Sequence, residues 1–356
     1  MLRFSVFLIC IFMAAFQPLQ GQNADEQINA SRCWVFEQDE FEVFEAVGIA
    51  GGAAIADRSA SIIRISDLGE KLWQSEQIGH LDSNLVVGDS GIYFVTGSQS
   101  DNKSWFREIS LQTGLPVYSL ELTAGGGWRL TRGVGPLLYV FNAAKVIAFD
   151  IESREKKWDR PFNGDIAALV EGGEGNVWVL KKDGTAIAIA VTDGSELHRF
   201  NTVATPVSAM HFGRSLLVGT ANGDLRSFRN GAGAPNWKFR AGGRISHLLN
   251  DTMNVIAASD DNFIYSFDQR NGSLRWKRRL GGRVTDLKIV NSEYAAAKVL
   301  DATFWEMIEV RTGRVAGRVM IEQADKSTFS LVRLDEGFAV GLGRGIIRYS
   351  LSKCTN

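Results

Sequence analysis

The chain repeats itself, and the period decides what it can become. An alternating apolar strand, a polar turn often closing on glycine and then a large residue four positions later recur along the 356 residues. Ile147-Ala148-Phe149-Asp150 leads to Trp158, Leu225-Arg226-Ser227-Phe228 leads past Gly233 to Trp237, and Ile264-Tyr265-Ser266-Phe267-Asp268 leads past Gly272 to Trp276. The same frame sets Gly69 before Trp73, Gly114 before Tyr118, Gly194 before His198 and Gly313 before Gly317. The anchors fall at 73, 118, 158, 198, 237, 276 and 317, with spacings of 45, 40, 40, 39, 39 and 41 residues. Such a period signals a ring or stack of similar units rather than a multidomain enzyme.

One period divides into four strands, as 244–249, 255–259, 263–268 and 274–279 show, and four short strands per unit make a propeller blade. Asp183-Gly184 and Asn222-Gly223 read as primed hairpin turns, with Asp261-Asn262 a weaker case. Counting back 39 residues from Trp73 reaches Trp34, an eighth anchor with no strand upstream of it. The unpartnered strand is 346–352 at the other end, whose Tyr349 matches Phe149, Phe228 and Phe267. The fold expected is therefore all-β: an eight-bladed propeller of four-stranded antiparallel blades, with 33–36 as the outermost strand of the last blade. In that frame Cys354 takes the turn-glycine position and Cys33 lies across the same turn, within reach of a disulfide. Such a bond closes a loop of more than 300 residues, for which chain entropy allows roughly 5 kcal/mol.

Arg3 precedes an apolar run from Phe4 to Phe16 and a polar exit at Gln17 to Gly21, the order of a signal peptide cut after residue 21. The run is short of the ~20 residues of a spanning helix. The reading is a leader at 1–21, a short segment at 22–32 and one propeller domain at 33–356, exported to the periplasm or beyond, with no transmembrane span in the mature chain. Removing the leader with its Cys10 leaves Cys33 and Cys354, an even pair suited to an oxidising compartment. Lysine plus arginine number 39 against 40 acids, a net charge of -1 that gives no reason to expect nucleic acid. Abundant glycine (37), scarce proline (6) and nine tryptophans agree with many short strands and tight turns.

The frames from Val146 to Trp158 and from Ile264 to Trp276 resemble the tryptophan-docking repeat of the pyrroloquinoline-quinone-type propellers. That group holds eight-bladed quinoprotein dehydrogenases and the non-enzymatic outer-membrane assembly factor BamB. The resemblance implies that Trp34, Trp73, Trp158, Trp237 and Trp276 dock blade on blade, with Tyr118, His198 and Gly317 as looser substitutes. It also implies a scaffold that binds a protein partner, with outer-membrane protein assembly as the concrete role. A quinone-binding redox protein with calcium is the alternative cofactor reading, and a ligand-sensing or carbohydrate-binding propeller using Trp128 is another. A monomer is expected.

Reactive groups would have to converge at the axial mouth, where Arg129, Asp165, Arg244, Arg283 and Asp286 are the candidates. Asp165 and Asp286 do not supply the six to eight oxygens of a calcium site, so no metal is expected. His80, His198, His211 and His247 have no zinc spacing, and the strand pleat sets Ser246 and His247 on opposite sides. No adjacent cysteines or matching acidic cluster allow a dehydrogenase site to be carried over, and the balance points away from an enzyme. Gly125-Gly126-Gly127 lacks the context of a phosphate loop and reads as a blade connection. Lys238 and Arg240 in one repeat are echoed by Lys277, Arg278 and Arg279 in the next. They are a candidate surface for an acidic partner, set against the ordinary use of cations to protect sheet edges. Sequons stand at Asn29, Asn102, Asn250 and Asn271.

Overall fold

In the computed structural model, the described residues are 30–98, 103–122, 125–163, 165–173, 175–229, 233–251, 253–320, 331–335, 337–352 and 354. The leader at 1–21 and the sequons at Asn29 and Asn102 lie outside them. Eight antiparallel sheets follow one another around a ring. Blades 1 to 7 occupy 45–74, 80–122, 129–161, 166–201, 206–240, 245–279 and 284–320, and blade 8 combines 331–350 with 31–37. In each, the first strand is innermost and the chain steps outward. Blade 6 illustrates it with Ile245–Asn250, Asn254–Ser259, Phe263–Asp268 and Leu274–Arg279.

Blade 8 closes the ring as the sequence frame requires. Ser31–Glu37 pairs antiparallel with Gly345–Ser350, setting Trp34 opposite Arg348 and Arg32 opposite Tyr349. Cys33 and Cys354 are bonded, with 5.4 Å between their α-carbons and 321 residues between them in sequence. Blade 2 departs from the regular plan, because its inner strand is split into His80–Leu81 and Val86–Val87, both paired with Gly91–Gly97. Between the two pieces the Ser83 hydroxyl accepts the Val95 N–H at 2.8 Å, so a side chain replaces the missing backbone partner.

The middle strands alternate small and large apolar residues and are buried throughout, as in Gly52–Ala56 and Asn254–Ser259. The core is therefore a set of clusters lying between blades rather than one central mass. Five of the eight junctions share one lock. The indole N–H groups of Trp34, Trp73, Trp158, Trp237 and Trp276 donate to the carbonyls of Asp67, Leu111, Val191, Gln269 and Val310 in the following blade, at 2.6 to 3.1 Å. The ring lies on the turn glycine of that blade: Gly69, Gly114, Gly194, Gly272 and Gly313, where an added Cβ would come within 3.0 Å of indole carbons. The glycine that precedes each anchor by four is thus the seat for the previous anchor. Arginines reinforce the same turns, with Arg64 donating to Leu111 O and Arg348 to Asp67 O, both at 2.6 Å.

At blade 2 the anchor and its seat change together. Tyr118 faces a blade whose seat is Arg154, held at φ 56° in place of glycine. Arg154 reaches back to Glu108 of blade 2, its Nε 2.8 Å from a carboxylate only 2% exposed, while Tyr118 packs on Phe149 at 5.4 Å. Gly317 lies on blade 7, whose contact with blade 8 includes the Tyr349 hydroxyl donating to Met320 O at 3.1 Å, while the Cys33–Cys354 bond joins two segments of blade 8 itself. His198 retains a glycine, Gly233, and lines a small cleft with Trp178 and His211. At Tyr118 an ion pair takes the place of the looser docking expected there.

Gly272→Ala places a methyl group against Trp237 at a φ of 71°. It is expected to cost about 3 kcal/mol or more in urea unfolding, close to the ~3–5 kcal/mol of Trp237→Ala. The double variant should lose far less than the sum, since both remove one lock. Reducing the Cys33–Cys354 bond should lower stability by up to about 5 kcal/mol, read as a shift in denaturant midpoint with and without reductant.

Candidate functional site: the axial channel and the blade edges

The inner strands line the axis, and four carry a bulge near the start, at Ile166/Ala168, Pro206/Ser208, Ile245/His247 and Val284/Asp286. A bulge puts an extra residue on one strand and re-aims the neighbouring side chains. In blade 6 it overturns the simple pleat: Ser246 Oγ and His247 Nδ1 lie 3.0 Å apart instead of on opposite sides. Burial pushes the His247 imidazole below its ordinary range, opposed by the Asp286 carboxylate of blade 7. Burial likewise lowers Lys298, and Asp286 again opposes it. Asp286 lies 3.8 Å from Lys288 Nζ.

Glu45 opens the inner strand of blade 1, and burial pushes its carboxyl up to about 7, with Lys288 pulling the other way. Blade 8 stands between these two strands in the ring, so this pair faces across the axis. The channel thus holds a mixed cluster of Glu45, His247, Asp286, Lys288 and Lys298, of which only His247 and Asp286 stood out in the sequence. The missed signal is the alternation Asp286, Leu287, Lys288 on an inner strand, where two ionisable groups share one side of the pleat.

The expected mouth residues do not converge. Arg129 is a clamp between blades 3 and 4, its guanidinium donating to Ala167 O at 2.9 Å and Ile166 O at 3.3 Å and lying over the Phe141 ring. Asp165 pairs with Lys182, and Arg244 with Asp260, each at 3.0 Å on its own blade. Arg283 is exposed on the rim, and Asp286 lies in the channel cluster. Trp128 is not an aromatic platform: it is 1% exposed, belongs to the core between blades 2 and 3, and donates to Gly125 O at 2.6 Å.

The cations of blades 5 and 6 also divide. Lys238, Lys277 and Arg279 are exposed, and Lys277 lies over the Phe263 ring. Arg240 pairs with Asp224 at 3.0 Å. Arg278 is half-buried and donates to Gly313 O at 2.7 Å, which commits it to the junction with blade 7. Among the described residues no helix is long and apolar enough to cross a membrane.

A closed ring of eight four-stranded units locked by indole on glycine defines a quinoprotein-like propeller. The family model described as outer membrane protein assembly factor BamB matches residues 58–230 and 203–336, and the chain belongs to that family. Among solved structures it is similar to BamB from Moraxella catarrhalis, with a TM-score of 0.69 and 15% identity over 92% of this chain and 99% of that one. It is also similar to the computationally designed protein Ika8, with a TM-score of 0.75 and 13% identity over 90% of this chain and 99% of that one. No curated protein matches it.

The folded Glu45 carboxyl titrates near 7, against an ordinary value of 4.5. Between those values only the folded chain holds the proton, so this group's contribution to stability falls as pH rises from about 4.5 to 7 and is level above. Glu45→Gln cannot titrate there. Relative to the wild type it should gain about 1–3 kcal/mol in chemical denaturation between pH 4 and pH 8, and an equal difference at both pH values would contradict this assignment.

Proposed function

We propose that the chain is an exported, non-enzymatic scaffold that holds protein partners during outer-membrane protein assembly. Family membership across 58–336 carries this reading. A single propeller domain from about residue 33 onward gives it a stiff body, because five junctions share the indole lock and a sixth has an ion pair. The Cys33–Cys354 bond suits an oxidising compartment, and the apolar leader at 1–21 supplies the route there.

The scaffold works without a bound cofactor. Calcium takes six to eight oxygens, and the channel carboxylates Glu45 and Asp286 each feel a lysine, Lys288 or Lys298, in their surroundings. That donor set does not fit a calcium-held quinone. The exposed Lys238, Lys277 and Arg279, together with the rim residues Arg244 and Arg283, remain the candidate contacts for an acidic partner surface.

Crosslinking in native cell envelopes is expected to capture a component of the β-barrel assembly machinery. Recovery of unrelated proteins alone would overturn the role.

A further inference from the structure

In several blades the last residue of the third strand caps the turn into the fourth. Asp150 accepts the N–H groups of Glu152 and Ser153 at 3.1 and 2.9 Å, and Asp268 accepts that of Arg270 at 2.9 Å. The hydroxyls of Ser66 and Ser110 do the same for the turns that follow them. Blade 5 breaks the pattern, because its third strand, Asp224–Arg229, ends on an arginine. A guanidinium has no acceptor with which to cap a turn, and it reverses the charge that Asp150 and Asp268 bring to this place. Arg229 is exposed, and its side chain has no ion pair among the described residues.

Beside it lies a cleft of about 420 Å³ between blades 5 and 6. Arg229 lines this cleft together with Arg214, from the hairpin between the first two strands of blade 5, and Arg270, from the turn between the last two strands of blade 6. No carboxylate stands among the described residues that line it. The acids of the flanking turns are engaged: Asp268 holds Arg275 at 2.6 Å, and Asp251 accepts the N–H groups of Met253 and Asn254 at 2.7 and 2.6 Å. Ser215 and Gln269 bring a hydroxyl and an amide to the same cleft. The larger cleft between blades 7 and 8, about 600 Å³, differs in kind, since it sets Glu293 and Asp335 beside Arg333.

A guanidinium keeps its charge at any working pH, and its fork of N–H donors matches the oxygens of a carboxylate or a phosphate. One carboxylate answers one arginine. Three arginines in one cleft repel one another until a compact group of higher charge enters. A terminal phosphate carries about −1.5 to −2 near neutral pH on three acceptor oxygens, and the cleft has the volume of a small-molecule site. We propose that this cleft binds a terminal phosphate, as carried by a phosphomonoester or a pyrophosphate. The site is apart from the axial channel and does not rest on the scaffold reading.

The test is titration calorimetry of the full chain with pyrophosphate, together with flotation on phosphatidylcholine vesicles doped with phosphatidic acid, a phosphomonoester, or with phosphatidylglycerol, a diester. Pyrophosphate binding at one site per chain assigns a soluble ligand, and flotation with phosphatidic acid but not phosphatidylglycerol assigns a lipid headgroup; either supports the proposal. Arg229→Gln and Arg270→Gln should each weaken the interaction about tenfold or more. Arg311→Gln, an exposed arginine two residues before the turn glycine of blade 7 as Arg270 is in blade 6, leaves it unchanged. All three variants should keep the wild-type urea midpoint, because the side chains are exposed. Binding that survives Arg229→Gln, equal flotation with phosphatidylglycerol, equal affinity for a glutamate-rich peptide, or no binding in either arm overturns the proposal.

Discussion

An indole lying on a glycine of the next blade is the contact on which the ring depends. A single blade buries neither face, and its short strands have no stability alone. The tryptophan removes a large planar surface from water, donates its N–H to a turn carbonyl, and requires that the turn beneath it have no side chain. Because each blade supplies the seat for its predecessor and the anchor for its successor, the lock propagates around the axis. Ring closure then depends on whether the last blade can offer a seat to its predecessor and an anchor to the first. Trp34 does the second through Asp67 and Gly69; toward blade 7, Tyr349 donates to Met320 O, and the disulfide ties together the two ends of the chain that make blade 8.

The Tyr118 junction is informative because anchor and seat have both changed there. Losing a tryptophan at residue 118 would leave an unfilled junction, yet the facing seat has become Arg154, whose charge satisfies the buried Glu108. A buried carboxylate left unpaired is strongly destabilising, so that junction has exchanged apolar burial for an ion pair that must be complete. At the junction between blades 7 and 8, where residue 317 is glycine, the Tyr349 hydroxyl of blade 8 donates to Met320 O of blade 7 at 3.1 Å. Both are local solutions to one geometric demand, that adjacent blades touch.

With the faces of the blades consumed by docking, only the axis and the circumference are left for function. The axis holds opposed charges that largely satisfy one another, and of its rim arginines Arg129 and Arg244 are engaged in a clamp and a pair while Arg283 is exposed. The circumference consists of strand edges, most of which carry a lysine or arginine. The chain presents an exposed basic arc over blades 5 and 6.

The architecture was legible in the sequence because a repeat exposes its own period. The spacing of Trp158, Trp237 and Trp276 set the blade length, Asn222-Gly223 marked a hairpin, and the orphan strand ending near Tyr349 required Trp34 to complete it. The site was far less legible. Arg129 and Arg278 read as exposed cations until the neighbouring blade supplied carbonyl acceptors, and Trp128 read as a rim aromatic until packing buried it. The Ser246–His247 contact needed a bulge that periodicity does not encode. Glu45 and Lys288 are 243 positions apart and in different blades, so no local pattern could pair them. By itself the sequence determined the number of units and the closure of the ring, since these follow from periodic burial along one chain. Only the tertiary structure decided which charges from different blades meet along the axis and which cations turn to a neighbouring blade, because those depend on distances between units that share no local sequence.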